Sequence, residues 1–154
     1  MPAEAYLALG SNLGDRRDNI LRAVDLLSEV SSGLRLSPLY ETEPAGFESQ
    51  PPFLNAACGL WTDLDPFALF HEVRRIQDQV GGPHTFPNAP RSLDIDLLLY
   101  DRLVIDTPLL TIPHPRMADR DFVLRPLADL APSYEDPQRG ATIADLLAGL
   151  LTRP

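Results

Sequence analysis

The stretch Pro90-Arg91-Ser92-Leu93-Asp94-Ile95-Asp96-Leu97-Leu98-Leu99-Tyr100 decides how this chain is read. Apolar and acidic residues alternate through it, and a period of two marks a strand with one buried face. Leu93, Ile95, Leu97 and Leu99 fall on one side, Asp94 and Asp96 on the other. Adjacent ionised carboxylates repel, and a divalent cation between them removes that cost. Oxygen ligands presented this way suit Mg²⁺, which takes one or two carboxylates and leaves its other positions to water and substrate phosphates. The same pattern also fits the solvated face of an edge strand, so the strand alone leaves both readings open.

Upstream of it, the second helix has the clearest boundaries in the chain. Asp65 is a good N-cap, Pro66 suits the first helical position, and Gly81-Gly82 stops the helix. Leu69, Val73, Ile76 and Val80 mark its core stripe. A first helix carries Ile20, Val24, Leu27 and Val30 at helical spacing, after a turn over residues 10–15. Strands are predicted at residues 5–9, 34–42 and 53–62, with Pro38 placing the second at an edge or a bulge. The order β-α-β-β-α-β predicts an α+β fold, a ferredoxin-like antiparallel sheet with helices packed on one face. Downstream, residues 103–105 read as a short strand and 109–117 as an ordered loop. Short helices are predicted over about 119–130 and 142–151.

Composition narrows the function. The 154 residues suit one domain over 1–154. A net charge of −9 argues against nucleic acid, whose binding relies on a basic footprint. All 13 basic residues are Arg, which excludes lysine Schiff-base chemistry and a P-loop. The single cysteine, Cys58, sits in an apolar run and reads as core. Its lack of a partner fits a reducing, cytoplasmic setting. No signal-peptide pattern opens the chain, and no apolar run approaches the ~20 residues of a membrane span. Loops 43–52 and 81–90 carry glycines and an aromatic each (Phe47, Phe86) and are expected to act as flaps over a site.

Five blocks in order then carry a resemblance. They are Tyr6-Leu7-Ala8-Leu9-Gly10-Ser11-Asn12-Leu13-Gly14-Asp15-Arg16; Tyr40-Glu41-Thr42-Glu43-Pro44 with Gly46; Gln50-Pro51-Pro52-Phe53-Leu54-Asn55-Ala56; Pro90 to Leu98; and Ile112-Pro113-His114-Pro115-Arg116-Met117, followed by Arg120, Phe122-Val123-Leu124 and Pro126-Leu127. Over roughly residues 5–130 the chain resembles the 6-hydroxymethyl-7,8-dihydropterin pyrophosphokinases of folate biosynthesis. That resemblance implies a single-domain α+β enzyme moving the β,γ-pyrophosphoryl group of ATP to the pterin hydroxymethyl oxygen, with release of AMP; a cytoplasmic monomer is expected. It implies two Mg²⁺ ions on Asp94 and Asp96, and catalytic roles for these two with Arg91 and Arg120. It implies a pterin site of Thr42, Pro44, Ala45, Phe53, Asn55, Asp94 and Phe122. It implies an ATP site of Arg91, Leu97, Leu110, Thr111, His114 and Arg120.

Three departures accompany the resemblance. Loop 81–90 lacks the arginines and tryptophan of many relatives, Gln77 stands where Glu is common, and Phe53 stands where Tyr also occurs. Fewer flap cations predict activity with a raised ATP requirement, each charge-assisted contact being worth about 1.5–3 kcal/mol. The alternative is a non-catalytic pterin- or nucleotide-binding descendant. Two further alternatives are a metal-dependent phosphotransferase for another heterocyclic alcohol and a purely structural module.

Overall fold

The structure, a computed structural model, describes residues 1–42, 52–82 and 92–153. The elements are β1 (Ala3–Ser11), α1 (Arg16–Ser28), β2 (Ser32–Leu36), β3 (Tyr40–Thr42), β4 (Phe53–Thr62), α2 (Pro66–Gly81), β5 (Asp94–Tyr100), β6 (Ile105–Asp106), β7 (Thr111–Ile112), α3 (Asp121–Leu130) and α4 (Ile143–Leu151). A 3-10 turn, Met117–Asp119, precedes α3. The sheet order is β2-β4-β1-β5, with β3 also paired to β4. All these pairings are antiparallel, the ferredoxin-like arrangement expected. The expected flaps lie outside the described residues except for their ends.

Local chemistry sets the boundaries. Asp15, Asp65 and Thr142 cap α1, α2 and α4, accepting from the N–H groups of Asp18 (3.1 Å), Ala68 (2.9 Å) and Asp145 (3.1 Å). Gly82, at φ 73°, turns the chain out of α2. The single strand expected over 34–42 is instead two, because Pro38 has no N–H to give the ladder. Ser37 bridges the break: its N–H donates to the Ala57 carbonyl (2.9 Å), and its hydroxyl accepts from the Ala57 N–H (2.8 Å). The loop expected at 109–117 contains a short strand, β7, which forms a small antiparallel ladder with β6.

The sheet is covered on both faces, where helices on one face were expected. Ala5, Leu7 and Leu9 of β1 pack with Ile20, Ala23 and Leu27 of α1 and with Leu69, Val73 and Ile76 of α2. On the other face Tyr6, Ala57, Leu98 and Leu99 pack with Met117, Val123, Leu124 and Leu127 and with Ile143 of α4. Leu99 was expected with Leu93, Ile95 and Leu97. A bulge overturns this: β5 pairs Tyr6 with Leu99 but Leu7 with Leu97, so Leu98 is an extra residue. The extra residue moves Leu99 to the second core and Tyr100 to the first.

Candidate active site

The register aligns the candidate residues on the second face. Directly paired residues in an antiparallel sheet share a face. One row runs Tyr40, Asn55, Gly10, Asp94 across β3, β4, β1 and β5. The next runs Ala57, Ala8, Asp96, and on the far side Thr42 pairs with Phe53. Thr42, Phe53, Asn55, Asp94 and Asp96, chosen from sequence, therefore lie on one surface. The helices of this face pack over its Tyr6–Ala57–Leu99 end, and the row through Asn55, Gly10 and Asp94 lies beyond that cluster.

At the β4 end, the Asn55 amide Nδ2 donates to Thr42 Oγ1 at 2.7 Å, and Asn55 is 7% exposed. A buried amide is held only with partners, and this bond sets its orientation. Its Oδ1 turns over Gly10: a Cβ built there would lie 3.0 Å from Oδ1 and 3.8 Å from the Phe53 ring. Gly10 thus gives a bare floor between the Asn55 amide and the Asp94 carboxylate. Sequence reading took Gly10 for part of a turn; only the strand register reveals this place. Arg16 was also missed. Its Nη1 donates to Glu41 Oε1 (3.0 Å) and to the Pro52 carbonyl (2.8 Å), tying together the neighbours of Thr42 and Phe53. No local signal marks contacts that span so much sequence.

At the β5 end, Asp96 is half-exposed and His114 Nε2 stands 4.0 Å from its Oδ1. This is a neighbour rather than an ion pair. Burial pushes the His114 pKa below its usual value; the Asp96 charge opposes this, and Arg120 and Arg116 reinforce it. His114 Nδ1 accepts from the Arg116 N–H (3.2 Å), which leaves the ring proton of the neutral form on Nε2, facing Asp96. The His114 N–H donates to the Leu98 carbonyl (3.0 Å), docking its loop on the outer edge of β5. Gln77 Oε1 holds the same edge, accepting from the Ile95 N–H (2.9 Å) between the two carboxylates. Glu at that position offers the same acceptor, so this departure keeps the bond.

Arg120 opens α3 and lies over the Phe122 ring at 5.7 Å. Leu97 and Leu110 are turned into the first core, away from the carboxylates. Thr111 lines a cleft of about 380 Å³ with Ile105, Asp106, Pro115 and Arg139. Pro44, Ala45 and Arg91 lie outside the described residues. Among the described residues no three His, Cys, Asp or Glu side chains gather as metal ligands. Two carboxylates with remaining positions for water and phosphate are what Mg²⁺ accepts, so the donor set fits that ion.

A family model described as 7,8-dihydro-6-hydroxymethylpterin-pyrophosphokinase matches residues 6–132, which include both rows. The chain is 42% identical over 133 residues to the 2-amino-4-hydroxy-6-hydroxymethyldihydropteridine pyrophosphokinase of Bacillus subtilis, covering 85% of this chain and 80% of that one. It is 44% identical over 132 residues to the folic acid synthesis protein FOL1 of Dictyostelium discoideum, covering 86% of this chain but 20% of that longer protein. The chain thus spans about a fifth of the length of that relative. Wild-type HPPK-DHPS of Plasmodium falciparum matches in structure with a TM-score of 0.81 at 16% identity, covering 99% of this chain and 45% of that one, a likeness of fold. On the family match and the close bacterial relative together, this chain belongs to the 7,8-dihydro-6-hydroxymethylpterin-pyrophosphokinase family.

Proposed function

We propose that this protein transfers the β,γ-pyrophosphoryl group of ATP to the hydroxymethyl oxygen of 6-hydroxymethyl-7,8-dihydropterin, yielding the pterin diphosphate and AMP for folate synthesis. The observation that carries this reading is the row Asn55–Gly10–Asp94. Two strand spacings, roughly 10 Å, separate its ends. That matches a two-ring heterocycle with a one-carbon alcohol arm. The ring edge meets the Asn55 amide and Thr42, its face lies against Phe53 and over Gly10, and Phe122 serves as a second aromatic wall. Pro44 and Ala45 belong to this proposal as edge contacts. The alcohol then arrives at Asp94, whose carboxylate accepts its hydrogen bond.

The hydroxyl oxygen attacks the β-phosphorus, and the bond from that phosphorus to the α,β-bridging oxygen breaks. AMP leaves with the bridging oxygen, and the hydroxyl proton passes to solvent. Such transfers depend on positioning and charge stabilisation more than on covalent chemistry. Asp94 and Asp96 would hold Mg²⁺, two ions in this proposal, which would supply positive charge to offset that of the phosphates. The His114 Nε2–H, Arg120 and Arg91 serve the phosphates. Leu97, Leu110 and Thr111 line the nucleotide end, the two leucines through their backbone because their side chains are in the core. A monomeric state is part of the proposal. A cytoplasmic location and the absence of a nucleic-acid partner stay part of the proposal. Among the described residues no helix is long and apolar enough to cross a membrane.

Asp96→Ala and Asp94→Asn test the reading. Each should lower pterin-dependent AMP formation at least a hundredfold while leaving pterin binding measurable by fluorescence titration, the loss of roughly 2.7 kcal/mol or more of transition-state stabilisation. Near wild-type turnover in either variant would overturn the assignment of the carboxylates. The binding-only alternative rests on loop 81–90, most of which lies outside the described residues, and no observation favours it.

A further inference from the structure

Residues 133–142 lie beyond the family match, yet one of them reaches back to the loop that carries His114. Asp136 is fully buried and accepts at Oδ1 from the N–H groups of Gln138 (2.8 Å) and Arg139 (3.0 Å). Its Oδ2 pairs with Arg139 Nη1 at 2.6 Å. The loop closes on itself, the Gly140 N–H donating to the Asp136 carbonyl (2.8 Å) and the Asp136 N–H to the Ala141 carbonyl (2.9 Å). Gly140, at φ 71°, supplies the left-handed residue this closure needs.

A buried carboxylate must keep its partner, so Asp136 fixes the rotamer of Arg139. The planar guanidinium then presents a second nitrogen in a set direction. That nitrogen, Nη2, donates to the Pro115 carbonyl at 3.3 Å. Pro115 follows His114, whose N–H is bonded to Leu98 of β5. Residues 114–116 are thereby held from two sides, by β5 on one and by Arg139 on the other.

We propose that Arg139 is a positioning residue for the nucleotide, holding the His114 loop so that Nε2 stays beside Asp96. Arg139 shares a cleft with Thr111, and the role assigned to it here is exerted through Pro115. The inference rests on the reading of His114 as a phosphate contact.

Arg139→Lys and Arg139→Gln in the whole protein test it. Lysine keeps a cation for Asp136 but lacks the fork that reaches both acceptors, so Arg139→Lys folds with a near-wild-type thermal midpoint. Its KM for MgATP should rise about three- to tenfold, the worth of one net hydrogen bond, with kcat within about twofold and the pterin KM unchanged. The ring signals of His114 in nitrogen–proton NMR, recorded without substrate at one pH, should shift in both variants. A folded Arg139→Lys protein with wild-type KM for MgATP and unmoved His114 signals would overturn the proposal. Should wild type make no pterin-dependent AMP, the functional reading fails alone. The His114 signals then still support the tether if they shift and overturn it if they do not.

Discussion

Gly10 separates the Asn55 amide from the Asp94 carboxylate, and a methyl group there would press on Asn55 Oδ1 at 3.0 Å. Gly10→Ala should therefore fold but raise the pterin KM about tenfold or more, overpacking of this kind costing ~1–3 kcal/mol. Steady-state kinetics with a denaturation curve checks this; an unchanged pterin KM would remove Gly10 from the site. Cys58 makes the opposite point. It was legible as core from its apolar run, and it is fully buried, its thiol pushed up to about 12. The native protein should leave it unlabelled by a disulfide reagent at neutral to mildly alkaline pH, and denaturant should expose one thiol. The carboxylates could be singled out from the alternation along β5, and Asn55 and Thr42 from the family resemblance. Gly10 could not, because a glycine acquires a role only from what stands on either side of it.

Among the elements, β5 was legible from its alternation and α2 from its cap and stop residues. The bulge at Leu98 was not, because it arises from pairing with β1 and leaves no mark in the composition of β5. The split of β2 from β3 was half legible: Pro38 announced an irregularity, but the Ser37–Ala57 bridge depends on a partner strand. Arg16, at the first turn of α1, joins the end of β3 to the start of β4 through Glu41 and the Pro52 carbonyl. Its ion pair is half-exposed and contributes little; the bond to the carbonyl carries more. Arg16→Ala should raise the pterin KM about three- to tenfold. The thermal midpoint should fall by about 2–4 °C. Calorimetry beside kinetics separates the two effects, and a variant that loses stability with no change in pterin KM would confine Arg16 to a structural role.

For the whole molecule, the β-α-β-β-α-β order was enough to predict a ferredoxin-like antiparallel sheet. It was not enough to place α3 and α4. An amphipathic stripe says that a helix is buried, not against which face. Their position matters, because they cover the Tyr6–Leu99 end of the second face and leave the end beyond for the proposed site. Both cores are apolar and, among the described residues, no three potential metal ligands gather. Chelation with excess EDTA should abolish AMP formation, restored by Mg²⁺, while shifting the thermal midpoint by less than about 2 °C. A protein that unfolds on chelation would contradict this separation of fold from chemistry. The central claim is tested most directly by phosphorus NMR of the purified protein with MgATP and 6-hydroxymethyl-7,8-dihydropterin. AMP accumulating in step with a pterin diphosphate, and only when pterin is present, is the predicted result. ADP as the product, or no conversion by folded protein, would contradict it.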